Sequence, residues 1–295
     1  MRIAVLGVCQ AHGYAHGLAH LLPEAEVEAF EAVVSRNHGQ VEQAAELLRG
    51  FDVIFTQEFG DEFGPLGTGA LPRLGRPVHR LPVVAFPGYH PDMIYLTLHG
   101  QVQGSPVGAY HSAIVAAAFA LGVEEADVPQ LFNRLVYARL GYLEGFGRAR
   151  TLLLELLARY GLDMAADVES WHADGPFMHG INHPRGPVLA DVARAAAIRA
   201  GLLRPDAPRV RPPFDHLAAD TIWPVYPEIA EVLGVPGSML FKRYSHPVGP
   251  LGNALYIGLP RLVRESYGMY RALPPDAFRE GAVAKVREAL AGMLG

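Results

Sequence analysis

Apolar and polar positions along the first third of the chain predict strands and helices in turn. Residues 2–8 (Arg-Ile-Ala-Val-Leu-Gly-Val) form a short apolar run, read as a buried strand, and a Gly- and His-rich helix follows over 11–22. A second strand is expected at 26–30. An amphipathic helix comes next at 39–49, with Val41, Ala44, Ala45 and Leu48 on one face and Gly50 ending it. Strand three falls at 52–56 (Asp-Val-Ile-Phe-Thr), and strand four at 82–86, after a Gly- and Pro-rich loop over 60–77. Units of β and α alternating at this spacing predict a doubly wound, mostly parallel sheet of the α/β class.

Beyond about residue 100 the pattern turns helical. Ser105-Pro106 is a helix-start signature, and the run from there to Leu121 is apolar on nearly all sides, so a buried helix is expected. Further helices are predicted at 124–135, 144–160, 187–200, 226–233, 259–272 and 277–293. The Pro-rich stretch 204–214 is the best linker. It suggests an α/β core with inserted helices over 1–203 and a helical C-terminal extension over 204–295 packed on it, with a single domain over 1–295 as the alternative.

Composition narrows the function classes. Half of the 295 residues are hydrophobic, enough for a well-developed core. A net charge of −5 gives no support for nucleic-acid binding through a basic face. Lys242 and Lys285 are the only lysines, so arginine supplies most of the positive charge. The single cysteine, Cys9, excludes an intrachain disulfide and fits a reducing compartment. The segment Ile3–Leu6 is far too short for a signal-peptide core and no run approaches the length of a membrane span, so a soluble cytoplasmic protein is the expectation. A homo-oligomer is compatible with the sequence.

Candidate chemistry gathers where strands end. Strand one delivers Cys9 and Gln10, strand three Gln57 and Glu58, and strand four the segment Phe86-Pro-Gly-Tyr-His-Pro-Asp92. Open α/β sheets bind ligands outside the carboxyl ends of their strands. Cys9 would also lie over a helix N-terminus, which favours a thiolate or an anion. Pro87 and Pro91 stiffen the loop carrying Tyr89, His90 and Asp92, which reads equally as a rigid turn. His111-Ser112 lies in the second turn of the helix expected from Pro106, where a satisfied core histidine is the commoner outcome. Ile181-Asn-His-Pro-Arg185 reads as ordinary turn chemistry or, equally, as a loop offering His183 as a base and Arg185 as a phosphate anchor. His12, His16 and His20 repeat every fourth residue on one helix, but such a row splays too far for three ligands, so no metal is expected. Neither a phosphate-binding loop nor a dinucleotide glycine fingerprint follows strand one.

Taken in order, Gly7-Val-Cys-Gln10, the 86–92 segment, Tyr110-His-Ser112, Ile181-Asn-His-Pro184 and Tyr226-Pro-Glu-Ile-Ala230 resemble the WcbI-like family over roughly residues 1–245. Val8 departs from the asparagine usual there. The resemblance implies bacterial capsular polysaccharide biosynthesis, a coenzyme A-dependent acetyltransferase and an SGNH-like (flavodoxin-like) fold, in which a nucleophile follows strand one and a histidine arrives late. Cys9 then holds the nucleophile position and His183 the late histidine. The implied reaction moves an acetyl or similar acyl group from coenzyme A or acetyl-coenzyme A, the small-molecule donor, to a sugar acceptor. His183 or His90 is the expected base, with His111 behind them and Asp92 orienting a histidine. The backbone N–H groups of Gln10 and Ala11, with the side chain of Gln10 or Asn182, are the oxyanion candidates. Arg185, Lys242 and Arg243 are phosphate candidates on charge alone, and Tyr89 and Ser112 join the cofactor-binding set. Direct attack by the hydroxyl is expected in preference to an acyl-cysteine. Two rival readings are an SGNH-type esterase or thioesterase with Cys9 as nucleophile, and a non-enzymatic module binding a glycan or nucleotide-sugar.

Overall fold

Ile3, Ala4, Val5 and Leu6 are all fully buried, as a strand in the middle of a parallel sheet must be when both faces are covered. The structure, a computed structural model, describes residues 1–244 and 255–294. In chain order it begins with β1 (Arg2–Gly7), α1 (Ala11–Leu21), β2 (Glu26–Glu31), α2 (Ala32–Asn37), α3 (Val41–Leu48), β3 (Val53–Thr56) and β4 (Val78–Arg80). There follow β5 (Met93–Tyr95), β6 (Thr97–Leu98), β7 (Gln101–Val102), β8 (Tyr110–Ser112), α4 (Ala113–Ala120), α5 (Arg134–Arg139), α6 (Gly145–Arg159) and α7 (Ala165–Ala173). The last third holds β9 (Met178–Gly180), β10 (His183–Pro184), α8 (Gly186–Arg199), α9 (Pro227–Leu233), β11 (Leu240–Lys242), β12 (Tyr256–Gly258), α10 (Leu259–Tyr270) and α11 (Gly281–Leu294). Among the described residues no helix is long and apolar enough to cross a membrane.

The chain forms two units. The first comprises Met1–Ala85, Leu152–Ala173 and His183–Leu217. Its centre is a four-stranded parallel sheet in the order β2-β1-β3-β4. Side chains alternate across this sheet. Ala4, Leu6 and Ile54 join Ala44, Ala45, Leu48 and Phe51 in one apolar cluster, while Ile3 and Val5 turn to the other face. Because parallel connections are right-handed, the reversal of strand order after β2 sends α1 and α3 to opposite faces. The stretch 204–214, expected as a linker, lies within this unit. Its Arg209 and Arg211 both bond the buried carboxylate of Asp191 on α8, to which Trp171 Nε1 also donates.

The second unit comprises Phe86–Thr151, Asp174–Asn182 and Ala218–Gly295. It is mainly helical, with short antiparallel pairs β5–β8, β6–β7 and β11–β12. α4 is apolar all round and packs against α10 and α11. Its start differs from expectation. Gly108 adopts a positive φ of 102°, which stops any helix from Pro106, and residues 110–112 form a strand instead. Ser112 is the true cap, its hydroxyl accepting from Val115 N–H at 3.1 Å. The helix expected at 124–135 is replaced by a turn at Val128–Leu131 and by α5, which Asn133 caps. α7 was not expected.

Strand four also differs. The ladder with β3 runs from Val78 to Leu81, whose N–H bonds Thr56 C=O at 2.7 Å. Pro82 then has no N–H to continue it.

Candidate active site

Cys9 Sγ lies 3.6 Å from His183 Nε2, in a contact that spans 174 residues of sequence. Both residues belong to the first unit. Cys9 is half-buried and His183 buried. The turn that presents Cys9 is held from below. Val8 N–H donates to Gln57 Oε1 at 2.8 Å and Ala11 N–H to Val8 C=O at 2.8 Å. Gly7 is required here, because a Cβ would stand 2.6 Å from Gln57 Oε1.

His183 reaches the thiol because α8 packs along α1. A Cβ on Gly13 would lie 2.3 Å from Leu189 Cδ1, and one on Gly17 would lie 2.9 Å from Ala190 Cα. Contacts that advance together along both helices mean that the two run in the same general direction. Their N-termini, just after Cys9 and His183, therefore share one end. The two helix dipoles make that end electropositive and suit it to a thiolate, an oxyanion or a phosphate. At the start of α8, however, the Gly186 N–H is already given to Asp215, Pro187 has none and the Val188 N–H bonds Arg185 C=O. Arg185, exposed at the N-cap of α8, adds a full positive charge.

Gln10 and Gln57 build the floor. The Gln10 amide donates to Val84 C=O at 2.8 Å and accepts from Val84 N–H at 3.0 Å. Gln57 Nε2 donates to Gln10 Oε1 and to Pro82 C=O, which Tyr14 OH also reaches at 3.0 Å. Gln10 is fully buried, so its side chain is structural, correcting its expected part in ligand binding. Ala11 N–H, expected to face an oxyanion, is taken by Val8.

On the β2 side, His12 Nε2 lies 2.9 Å from Glu31 Oε1. That hydrogen bond raises the imidazole's pKa and lowers the carboxyl's. Glu31 was missed by sequence reasoning, although the rule that strand ends carry ligands would have found it. Among the described residues no group of three His, Cys, Asp or Glu side chains is arranged to hold a metal ion.

Several other expected site residues fall in the second unit, most of them in structural roles. Asp92 is fully buried and accepts from Ser112 Oγ at 2.5 Å, Tyr226 OH at 2.7 Å, Ile114 N–H at 2.8 Å and Tyr142 OH at 3.4 Å. It anchors the start of α4 and orients no histidine through these bonds. Burial pushes its pKa up to about 6 against those four hydrogen bonds. Ser112, caught between Asp92 and Val115, is likewise committed to the helix cap. Trp223 Nε1 supports Tyr226 from behind at 3.2 Å.

His111 sits on β8 with both ring nitrogens engaged. Nε2–H donates to Gln103 C=O at 3.1 Å, so Nδ1 accepts from Tyr270 OH at 2.9 Å. Burial lowers its pKa, which makes it a neutral core histidine. Tyr89 is fully buried among Phe86, Phe146 and Phe177, and His90 beside it is 2% exposed. Lys242 Nζ donates to the carbonyls of Ala219 and Asp220 at 2.9 and 2.8 Å and reaches that of Arg243 at 3.4 Å. Arg243 pairs with Glu265. Among the described residues the Lys242 ammonium is thus spent on main-chain carbonyls and the Arg243 charge is offset by Glu265. Asn182 closes a ring of hydrogen bonds, accepting from Tyr110 OH at 2.8 Å and donating to Tyr95 OH at 2.9 Å, while Tyr95 bonds Tyr110 at 3.3 Å.

Comparison with known proteins gives two positive findings. The model of a family described as polysaccharide biosynthesis enzyme WcbI matches residues 2–205. A solved structure described as WcbI, a polysaccharide biosynthesis enzyme, superposes with a TM-score of 0.72 at 15% identity, covering 98% of this chain and 94% of that one. It is further described as the native protein without a disulfide bond between coenzyme A and one of its cysteines. No curated protein matches the chain.

Proposed function

The chain belongs to the WcbI family of polysaccharide biosynthesis enzymes, and we propose that it transfers an acetyl or related acyl group from coenzyme A to a sugar hydroxyl. The observation that carries this reading is the 3.6 Å contact between Cys9 Sγ and His183 Nε2 at two helix N-termini. The similar structure's description names coenzyme A and a cysteine together, as not joined by a disulfide in that protein, and Cys9 is the sole cysteine of this chain. The residues present fit such a donor: a half-buried thiol for its sulfur end and the exposed guanidinium of Arg185 for a phosphate.

Acyl-coenzyme A, such as acetyl-coenzyme A, supplies the thioester when bound. His183 takes the Cys9 proton, and the Cys9 thiolate bonds the acyl carbon as the bond from that carbon to the cofactor sulfur breaks. His183 returns the proton to the departing sulfur. In the second half His183 takes the proton of the sugar hydroxyl, whose oxygen bonds the acyl carbon while Cys9 leaves and is reprotonated. The imidazole beside the thiol favours this route over the direct attack expected from sequence, since a thiolate is a far stronger nucleophile than a sugar hydroxyl. Nucleophile after the first strand and histidine late in the chain is also the SGNH-like order.

Thermal unfolding with coenzyme A and with acetyl-coenzyme A tests the donor. A ligand present at about 100 times its Kd stabilises by about 2.7 kcal/mol, a readily seen shift. No shift with either compound removes coenzyme A from the reading.

A further inference from the structure

We propose that Glu31, His12, His216 and Phe214 form the subsite for a neutral pyranose acceptor beside Cys9–His183, an inference that rests on the acyl-transfer reading above. All four residues lie in the first unit. His12 stands three residues beyond Cys9, in the first turn of α1. Glu31 ends β2 and pairs in register with Gly7, which brings it to the same edge of the sheet one strand over. Asp215 accepts from Gly186 N–H at 3.0 Å, fixing the next residue, His216, near the start of α8, where His183 has just been delivered. The His216 ring centre lies 5.6 Å from that of His12 and 4.7 Å from that of Phe214, the latter edge to face. The elements that hold the catalytic pair therefore also hold this surface.

Its chemistry suits a sugar ring. The Glu31 carboxylate accepts from hydroxyls, and the imidazoles accept or donate. The pair stays accessible, with the His12 side chain 43% and the Glu31 side chain 32% exposed. Their mutual bond orients both groups, and the Glu31 carboxylate, its pKa lowered by His12, would repel a phosphate placed on this surface, which favours an uncharged acceptor. Phe214, 54% exposed, offers a flat apolar face to the C–H face of a pyranose. Its ring is held by His216 and by His16, whose ring centre is 6.3 Å away.

The test is saturation-transfer NMR on the full chain with methyl α-D-glucopyranoside, methyl α-D-mannopyranoside and methyl β-D-galactopyranoside as probes. Wild type is expected to bind at least one. Phe214→Ala and Glu31→Gln should each weaken that binding by about tenfold while keeping the wild-type thermal shift with coenzyme A, which also reports an intact fold. Wild type binding none of the probes, or both variants binding as wild type does, overturns the subsite. Sugar binding without any coenzyme A shift in wild type leaves this carbohydrate site standing and removes the acyl-transfer reading instead.

Discussion

The side chain of Gln10 hydrogen-bonds the backbone of Val84 twice, once as donor and once as acceptor, as a neighbouring strand would. Pro82 ends the β3–β4 ladder, and the amide of Gln10 takes over two residues later. Gln10→Leu should therefore leave Val84 N–H, Val84 C=O and the Gln57 amide short of partners in a buried site. Each such group costs about 1–3 kcal/mol, so a loss of about 3 kcal/mol or more is expected in urea unfolding. A variant within about 0.5 kcal/mol of wild type would mean that the clamp carries no stability.

Asp92 is expected to make stability fall as pH rises. Its folded pKa of about 6 lies above its ordinary value of 3.8, so between these limits the folded chain holds the proton more tightly. This contribution is fully present below about pH 4 and lost as pH rises through about 6, at most about 3 kcal/mol over the interval. Unfolding free energies of wild type and Asp92→Asn, measured from pH 4 to 7, should diverge with that slope. Parallel curves would show that Asp92 is charged throughout.

Much of the first unit was legible because β1, α1, β2, α3 and β3 are specified locally, by apolar runs and amphipathic spacing. The placement of Cys9 over a helix start followed from the same local pattern. Its pairing with His183 became a residue-level expectation only through family resemblance, since nothing local links residues 174 apart. Strand four was misread because Val83, Val84 and Ala85 look like a strand, whereas a glutamine side chain supplies the bonds of Val84. His111 and Asp92 were overread for a related reason. Their partners, Tyr270 for one and Tyr142 and Tyr226 for the other, come from distant segments that no periodicity connects.

The cations near the motifs should separate by role. Lys242→Met strands the carbonyls of Ala219 and Asp220 and should destabilise the fold by about 1–3 kcal/mol with little effect on coenzyme A affinity. Arg185→Ala, on an exposed side chain, should do the reverse, weakening that affinity about tenfold or more at wild-type stability. Calorimetry combined with denaturant unfolding reads both quantities. Affinity lost with Lys242 and kept with Arg185 would reverse the assignment.

The last prediction concerns which atom carries the acyl group. With His183 Nε2 next to the thiol, Cys9 should be acetylated when acetyl-coenzyme A is supplied without acceptor, adding one acetyl group to the intact mass. Cys9→Ala should then abolish both this adduct and turnover. His183→Ala should slow acetylation by roughly 10²–10⁴-fold, the usual contribution of a general base, without unfolding the chain. Cys9→Ser provides the finer test, because its hydroxyl keeps the size and the contact to His183 but is far less acidic, so acetylation should be slow yet detectable. Direct attack by the sugar predicts the opposite pattern. No adduct would form on Cys9, and Cys9→Ala would retain most of its turnover while His183→Ala lost it. That outcome would keep His183 as the base and reduce Cys9 to a wall of the site.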